Sequence, residues 1–268
     1  MFAEVGDCKF YYEITGEGPP LVLVHGTGAD SQSFEDVVPI LSQQFKVYVY
    51  DMRGHGQTAR LSDAPLSDDI WADDLAALMN HLEVPPAAIA GWSLGGLIAM
   101  NFVLRHPQMA SSLLLIGSRS PLPSAALGDR SGFAVRLKMA AEGASIEEIV
   151  EATFEFSLGA YSPHTVQNNP EAVEKLRRAL LRNDPKSYGE LIGATRADIA
   201  ERLGEITCPT LIVVGEDDAR APIGQAEGLS AVIPNSYMKI MQRCGHFYGF
   251  EQPEETCRIM TRFLRAFG

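Results

Sequence analysis

Short, continuous apolar runs recur along the chain, and each leads into a turn that contains glycine. Six runs show the pattern: "PLVLVHG", "KVYVYDMRG", "AAIAGWS", "SLLLIGS", "TLIVVGEDD" and "SYMKIMQRCGH". Runs of this length, without polar alternation, are typical of strands that are buried on both faces. The pattern therefore predicts a parallel β-sheet.

Amphipathic stretches lie between these runs and predict helices. In "SDDIWADDLAALMNHL" the apolar residues fall on one helical face, and acidic residues occupy the first turn. That face contains Trp71, Leu75, Leu78, Met79 and Leu82. Alternating strands and helices indicate an α/β fold with a doubly wound sheet. The last segment, "PEETCRIMTRFLRAF", is expected to be a helix that packs on this sheet.

The strand pattern stops between residues 121 and 203, where the signals are helical. "SIEEIVEATFEF" opens with a capping box formed by Ser145 and Glu148. Two more helices are predicted, because each stretch begins with Asn or Asp before a proline: "NPEAVEKLRRALLRN" and "DPKSYGELIGATRADIAERL". We expect a helical cap over 121–203, inserted into a core formed by 1–120 and 204–268.

Length and charge narrow the function classes. A chain of 268 residues fits one large α/β domain or a core with an insertion. The net charge of −12 disfavours nucleic acid as a partner, because that binding requires Lys and Arg to neutralise phosphates. The N-terminal stretch lacks the pattern of a signal peptide, and no apolar run is long enough to span a bilayer. We expect no membrane association.

The cysteines and histidines show no metal-binding spacing. Cys8, Cys208, Cys244 and Cys257 are scattered and form no CxxC pair. No two histidines have the i, i+4 spacing of a helical zinc site. We therefore expect free thiols, a reducing compartment and a cytoplasmic protein without a metal or other cofactor.

One serine stands in the middle of a glycine-rich turn, within "AIAGWSLGGLIAM". Ser93 follows a predicted strand and precedes a predicted helix, which is the context that the G-x-S-x-G pattern of a nucleophile elbow requires. Gly91 and Gly95 must be small, because larger side chains would collide across the turn. Gly96 allows the helix to pack closely on the strands. The pattern predicts Ser93 as a nucleophile at a helix N-terminus.

A serine hydroxyl needs a base, and the base needs an orienting carboxylate. Among the 6 histidines, His246 lies between the last predicted strand and the last predicted helix. Asp218 lies just past a strand end, where open α/β sheets gather their sites, and we prefer it to Asp217. We expect the remaining histidines to be structural or solvated, with His25 making a hydrogen bond that stabilises its turn.

An oxyanion needs two backbone N–H donors. Leu94, directly after Ser93, is expected to supply one of them. Thr27, in the "HGTG" turn after a strand, is expected to supply the other, because the glycines on both sides let this loop approach the serine.

These motifs together resemble the α/β-hydrolase superfamily. "HGTG", "DMRGHGQT", "GWSLGG", "GEDD" and "CGH" occur in the order that this family uses. The resemblance implies an eight-stranded, mostly parallel sheet with a helical lid after the sixth strand, and a structural role for Asp51 and Arg53. The cap region is similar only in position and helicity. Cys244 stands where a small apolar residue is more usual, either as a substitute for alanine or as a thiol sensitive to oxidation.

Within the superfamily, the chain resembles the branch of 3-oxoadipate enol-lactonases, small carboxylesterases and acyl-homoserine lactonases. "GWSLGGLIA" is also similar to the carboxyl-methyl-ester hydrolases of biotin synthesis. A serine at the elbow argues against haloalkane dehalogenases and epoxide hydrolases, which use aspartate there. The resemblance implies hydrolysis of a small carboxylic ester or lactone through an acyl-enzyme.

Two other readings stay open at this point. The same pocket serves C–C bond hydrolases and cofactor-free perhydrolases, and some relatives are small-molecule receptors with little turnover. Candidate substrate contacts are Trp92, Arg119, Phe133, Met139, Phe154, Phe156 and Tyr161. Arg119 is a candidate for binding a substrate carboxylate. The expected partner is a small molecule, and a homodimer is left open.

Overall fold

The computed structural model describes residues 1–60, 66–121, 131–194 and 196–267, and its centre is one β-sheet. The strands are β1 (Phe2–Val5), β2 (Cys8–Thr15), β3 (Pro20–Val24), β4 (Lys46–Tyr50), β5 (Ala59–Arg60), β6 (Ala87–Trp92), β7 (Ala110–Ile116), β8 (Thr210–Gly215) and β9 (Ser236–Met241). The sheet order is β1-β2-β4-β3-β6-β7-β8-β9, and the short β5 pairs with β2. Neighbours from β4 to β9 are parallel, whereas β1, β2 and β4 pair antiparallel. The predicted fold class is confirmed.

Helices lie on both faces of this sheet. They are α1 (Val38–Leu41), α2 (Asp68–His81), α3 (Leu94–Arg105), α4 (Ser131–Ala141), α5 (Ile146–Leu158), α6 (Pro163–Asn168), α7 (Pro170–Leu181), α8 (Pro185–Gly193), α9 (Ile223–Val232), α10 (Tyr248–Glu251) and α11 (Pro253–Phe267), with 3₁₀ turns at Ser31–Phe34, Pro107–Met109 and Ala200–Glu205. In the described part of the chain, no helix is both long enough and apolar enough to cross a bilayer.

Alternate residues of the central strands serve two separate apolar cores. Val22 and Val24 of β3 belong to the core that contains Trp71 of α2. Leu21 and Leu23 belong to the core on the other face, which the C-terminal helix α11 covers. This division follows from the two-residue period of a strand, and it explains why the apolar runs are continuous.

The helices α4 to α8 all lie in the chain between β7 and β8. The expected capping box is present: the Glu148 amide donates to Ser145 Oγ at 3.2 Å, and the Ser145 amide donates to Glu148 Oε2 at 2.8 Å. One expectation was wrong, because the helix predicted from "DPKSYGELIGATRADIAERL" ends at Gly193. Beyond it, Arg196 and the Ala197 amide both donate to the buried carboxylate of Asp68. These tertiary contacts hold the segment outside helical geometry.

The loop "DMRGHGQT" is held by buried polar contacts. Arg53 forms two 2.7 Å hydrogen bonds with the Asp74 carboxylate and a further ion pair with Asp7. His25 Nε2 accepts a 3.0 Å hydrogen bond from the Met52 amide, which is the turn-stabilising role expected for this histidine. The structural role expected for Arg53 is consistent with these contacts.

Two buried histidines, His25 and His55 of this loop, meet edge to face. The ring centroids of His25 and His55 are 4.7 Å apart, and both residues are almost fully buried. Burial lowers the pKa of His25, and it lowers the pKa of His55 well below its usual range, with His25 adding to the effect. Both imidazoles are therefore neutral in the folded chain.

We predict that this pair makes the fold sensitive to mild acid. Below the ordinary histidine pKa of about 6.5, the unfolded chain binds protons that the folded chain excludes. The free energy of unfolding therefore decreases as the pH is lowered. His55→Gln removes one of these sites. Between pH 7 and pH 5, its free energy of unfolding should fall by about 1–2 kcal/mol less than that of the parent chain.

Urea unfolding at each pH gives the free energy of unfolding. The quantity compared between variants is its change with pH, not its absolute value. The control is His81→Gln, because His81 is exposed at the end of α2. Parallel pH curves for the parent chain and His55→Gln would contradict the prediction.

Candidate active site

Ser93 occupies a turn of unusual backbone geometry between β6 and α3. Its φ is 54° and its ψ is −112°, a region that residues other than glycine rarely adopt. A Cβ atom on Gly91 would overlap the Gly95 carbonyl, and one on Gly95 would overlap the Val24 carbonyl. A Cβ on Gly96 would overlap the side chain of Ser118. The glycine spacing is therefore a steric requirement of the turn.

The structure brings Ser93, His246 and Asp218 together in one chain of hydrogen bonds. Ser93 Oγ lies 3.0 Å from His246 Nε2, and His246 Nδ1 lies 2.9 Å from Asp218 Oδ2. Because a carboxylate only accepts, Nδ1 carries the proton and Nε2 is left to accept from the serine hydroxyl. A histidine held in this tautomer can take up the serine proton.

Asp218 is fixed by donors from three directions. Its side chain is fully buried, and Oδ1 accepts 2.8 Å hydrogen bonds from the Arg220 and Ala221 amides. Oδ2 accepts a 2.7 Å hydrogen bond from the Tyr248 hydroxyl, which in turn accepts from the Gly215 amide at 2.8 Å. Burial and the nearby Asp218 raise the pKa of Tyr248 well above its usual value, so the phenol stays protonated and donates.

A second buried carboxylate, Glu251, holds the loop that carries His246. It lies on α10 and is 8% exposed, and it has no role in the hydrogen-bond chain described above. Its oxygens accept from the amides of Gly245, Phe247 and Ser162 and from the hydroxyl of Thr165, at 2.9 to 3.0 Å. The first two donors flank His246, and the last two belong to the segment that starts α6. Glu251 thus joins the histidine loop to the helices between β7 and β8.

The amides expected to bind an oxyanion lie beside the serine. A Cβ on Gly26 would approach Ser93 Cβ to 3.3 Å, so the "HGTG" loop runs directly alongside the nucleophile elbow. Leu94 is the first residue of α3, and Thr27 and Leu94 both line the cavity in front of Ser93. Within the described residues, neither of these two amides donates to a protein acceptor.

Residues of α7, α8 and their connection hold the "HGTG" loop in place. Asn183 Nδ2 donates to the Gly28 carbonyl at 2.8 Å, and Arg182 forms a two-bond ion pair with Asp30. Gly28 has a φ of 66°, and a side chain there would overlap the ring of Tyr188. The conformation of this loop therefore depends on the helices above it.

A cavity of about 150 Å³ opens in front of Ser93 and His246. Four of the predicted substrate contacts line it: Trp92, Arg119, Phe133 and Phe156. The walls are mainly apolar, with Phe34, Leu97, Leu176, Leu180, Ile192 and Phe250 among them. Such a cavity with a few converging polar groups is typical of a small-molecule site.

The prediction of substrate contacts is corrected for three residues, which do not line this cavity. Phe154 packs under the guanidinium of Arg177, with 4.4 Å between the Arg177 Cζ and the ring centroid. Tyr161 donates its hydroxyl to the Ala172 carbonyl at 2.7 Å. Met139 packs among the apolar residues of the helices. Helical spacing predicts that these residues are buried, but it does not distinguish a wall of the cavity from the packing between helices.

Cys244 is an inert neighbour of this site. Its side chain is fully buried, and burial, with Glu251 adding to the effect, raises the pKa of the thiol above its usual value. The thiolate, which is the reactive form, is therefore disfavoured. Of the two roles left open for Cys244, the structure favours that of a small apolar residue.

Sequence reasoning missed Tyr248, Glu251 and Arg136. Tyr248 and Glu251 follow His246 within "GHFYGFE", but no motif distinguishes them from other residues of a helix start. Arg136 lies in "FAVRLKM", where a charged residue interrupts an apolar stretch. That interruption is the one signal for Arg136 that the sequence offers.

Comparison with known proteins gives matches over nearly the whole chain. A family model described as the alpha/beta hydrolase fold matches residues 19–253. The chain is 31% identical to the pimeloyl-[acyl-carrier protein] methyl ester esterase of Chromobacterium violaceum, over 96% of this chain and 99% of that protein. A thermophilic esterase from Thermogutta terrifontis has a TM-score of 0.87 at 27% identity, covering 100% of this chain and 99% of that one. Est816, described as an N-acyl homoserine lactone degrading enzyme, has a TM-score of 0.82 at 28% identity, covering 98% and 100%.

We predict that Tyr248→Phe destabilises the fold. The substitution leaves the buried Gly215 amide without an acceptor and removes one donor from Asp218, which should lower the free energy of unfolding by about 1–3 kcal/mol. Urea unfolding measures the change. Tyr237→Phe is the matched control, because Tyr237 is 48% exposed and should lose little when its hydroxyl is removed. Equal stabilities for the two variants would refute the interpretation.

We also predict that Glu251→Gln loosens two distant segments together. An amide group brings one acceptor oxygen and an NH₂ that faces N–H donors, so it cannot replace a carboxylate with four partners. Amide hydrogen exchange should accelerate by about tenfold or more at both 245–247 and 162–165, as expected if a bond worth roughly 1–3 kcal/mol is lost. Glu254→Gln, at an exposed position of α11, is the control. Faster exchange at only one of the two segments would show that Glu251 does not couple them.

Proposed function

The chain belongs to the α/β-hydrolase fold family, and from this premise we propose that it is a serine hydrolase of small carboxylic esters, with Ser93 as the nucleophile, His246 as the base and Asp218 as the orienting carboxylate. The relatives named above are esterases and a lactone-degrading enzyme, which agrees with the class predicted from the sequence. The proposal goes further than the comparisons, because it assigns residues and a mechanism.

The hydrogen-bond chain from Ser93 Oγ to Asp218 carries this proposal. A 3.0 Å contact to His246 Nε2 is within proton-transfer distance, and the elbow exposes Oγ to the cavity. A serine with a purely structural role would need neither the strained backbone nor the aligned imidazole. Both features cost free energy, and both serve nucleophilic attack.

In the first step, Ser93 Oγ attacks the carbonyl carbon of the ester while His246 Nε2 removes the hydroxyl proton. The resulting imidazolium is stabilised by Asp218, which is held by two backbone amides and the Tyr248 hydroxyl. These donors keep the carboxylate oriented towards Nδ1, so that little reorganisation accompanies the proton transfer.

The negative charge on the carbonyl oxygen is accepted by the Thr27 and Leu94 amides. Leu94 also lies at the start of α3, where the helix dipole favours negative charge. Removing a single donor of this kind costs about 10²- to 10³-fold in kcat in a comparable site, so the pair accounts for a large share of the acceleration.

His246 then returns its proton to the leaving alcohol, and the acyl group remains on Ser93 Oγ. A water molecule enters, gives a proton to His246 Nε2 and attacks the acyl carbon. Collapse of the second tetrahedral intermediate releases the acid and restores the Ser93 hydroxyl. Each proton moves between Nε2 and an oxygen in the cavity, so one histidine serves both halves of the reaction.

The cavity volume and the relatives support small substrates. About 150 Å³ admits a short acyl or alcohol chain beside the reacting carbonyl. Methyl esters are small in the alcohol part, as in the substrate named for the Chromobacterium violaceum relative. Est816 supports lactones as a second substrate class, because lactone opening needs the same nucleophile and oxyanion site. We propose that the segment 121–203 acts as a cap on a core formed by 1–120 and 204–268, and that it sets substrate size.

We predict that Ser93→Ala abolishes hydrolysis of p-nitrophenyl acetate, with a loss in kcat of roughly 10³- to 10⁶-fold. The matched control is Ser33→Ala, because Ser33 also lines the cavity but contributes its hydroxyl to the turn that follows Asp30. Its kcat should stay within about threefold of the parent value, since it makes no contact with His246.

Mass spectrometry with a fluorophosphonate gives an independent measurement. The parent chain and Ser33→Ala should each gain one covalent adduct on Ser93, and Ser93→Ala should gain none. Undiminished hydrolysis by Ser93→Ala, or an adduct on another residue, would overturn the assignment.

A further inference from the structure

Among the described residues that line the cavity, the charged side chains are opposite in sign to the net charge of the chain. The chain carries 34 acidic against 22 basic residues. Nevertheless, the described residues that line the cavity include Arg119, Arg136, Arg196 and Arg220, and none of them is an Asp or a Glu. A cavity with walls of one charge sign concentrates ligands of the opposite sign.

Arg136 is the most informative of these arginines. It lies on α4 and is 4% exposed, and in the described part of the chain no carboxylate forms an ion pair with it. By contrast, Arg196 is partly exposed and is paired with Asp68. A buried charge without a counter-charge is costly to the fold, so its presence in a cavity wall requires an explanation.

Neutral oxygens supply all the hydrogen-bond partners of Arg136. Nε donates to Thr153 Oγ1 at 2.9 Å, Nη1 to the Tyr188 hydroxyl at 2.7 Å, and Nη2 to Ser157 Oγ at 2.6 Å and to the Thr153 carbonyl at 3.4 Å. These bonds join α4 to α5 and α8. A guanidinium has five N–H donors, so one N–H on Nη1 is not used by a described residue.

Ser157 offers a second donor at the same place. Its hydroxyl oxygen accepts from Arg136, and it lines the cavity. The hydroxyl hydrogen has no acceptor among the described residues. The unused N–H of Arg136 and the O–H of Ser157 are thus neighbouring donors that an anion could engage together.

Aromatic rings keep the guanidinium in position. Its Cζ lies 5.2 Å from the ring centroid of Phe156 and 5.6 Å from that of Phe133. These two rings pack edge to face and line the cavity. Arg220, from the loop after β8, lies over the same Phe156 ring at 3.2 Å from its centroid. Two cations therefore converge on one aromatic pair in the cavity wall.

We propose that the substrate carries a free carboxylate in addition to the scissile ester or lactone, and that Arg136 and Ser157 bind it. The proposal rests on the esterase function proposed above and names its substrate class. A purely structural Arg136 explains the bonds between helices but not the charge, since a neutral side chain can donate to hydroxyls equally well. A bound carboxylate supplies the missing counter-charge.

The test uses pairs of substrates of equal length that differ in one charge. Methyl hemiesters of succinic, glutaric and adipic acid are compared with methyl esters of butanoic, pentanoic and hexanoic acid, by titration of the released acid. For a carboxylate on the alcohol part, 4-acetoxybutanoate is compared with butyl acetate. At least one charged member should be preferred by about 10- to 100-fold in kcat/KM, as expected for a charge-assisted hydrogen bond.

Arg136→Met should lower the ratio of kcat/KM for the preferred charged substrate to kcat/KM for its neutral partner by about 10- to 100-fold. The control is Arg178→Met, because Arg178 is exposed on α7 and paired with Glu171. Preference for the neutral ester in every pair, or an equal loss on both members of the preferred pair, would overturn the proposal.

Two further measurements test the proposal if Arg136→Met does not fold or if the chain hydrolyses none of these esters. If Arg136→Met does not fold, inhibition of the parent chain decides, and glutarate should inhibit methyl butanoate hydrolysis at least tenfold more strongly than glutaramide, its uncharged analogue, does. If no ester is hydrolysed, calorimetric titration of the folded parent chain with glutarate and glutaramide tests the anion site alone. Equal effects of the diacid and the diamide in either measurement would refute the carboxylate site, whereas ester turnover without charge preference would refute this proposal and leave the esterase function intact.

Discussion

The close approach of three backbone segments at Ser93 is the constraint on which the rest of the site depends. The end of β6, the start of α3 and the end of β3 meet so tightly that Gly91 and Gly95 have no room for a Cβ. This contact accompanies the positive φ of Ser93, which lines the cavity. It also brings the "HGTG" loop alongside the serine. The position of Oγ, the direction of the Leu94 amide and the location of the cavity therefore have one common steric origin.

Two buried carboxylates divide the support of His246 between them. Asp218 acts on the ring, because it accepts the Nδ1 proton and so determines which nitrogen faces Ser93. Glu251 acts on the backbone, because it accepts the amides on both sides of the histidine. A ring held only by Asp218 could still shift with its loop, and a loop held only by Glu251 would leave the tautomer undetermined. The observed geometry requires both carboxylates, and only Asp218 follows from a sequence motif.

The sequence predicted those features that depend on local pattern. The six apolar runs became β3, β4 and β6 to β9. Five of these strands are buried on both faces, which leaves an unbroken apolar signal, whereas the edge strand β9 is mostly exposed. The outer strands β1 and β2 were missed because they alternate between buried and exposed positions. Ser93, Asp218 and His246 could be selected because each follows a strand end. Tyr248 and Glu251 could not, since no motif marks them, and Arg136 is marked only by a charge within an apolar stretch. Periodicity likewise failed to separate Phe133 from Phe154, because both lie on apolar helical faces.

The hydrogen bonds from Asn183 to Gly28 and from Arg182 to Asp30 have a consequence for how this architecture can change. A hinged lid that swung away as one body would take those anchors with it and leave the loop without its brace. The same bonds limit engineering: a foreign segment grafted between β7 and β8 would need equivalents of residues 182–183 to hold the chain at Gly28 and Asp30 in this conformation.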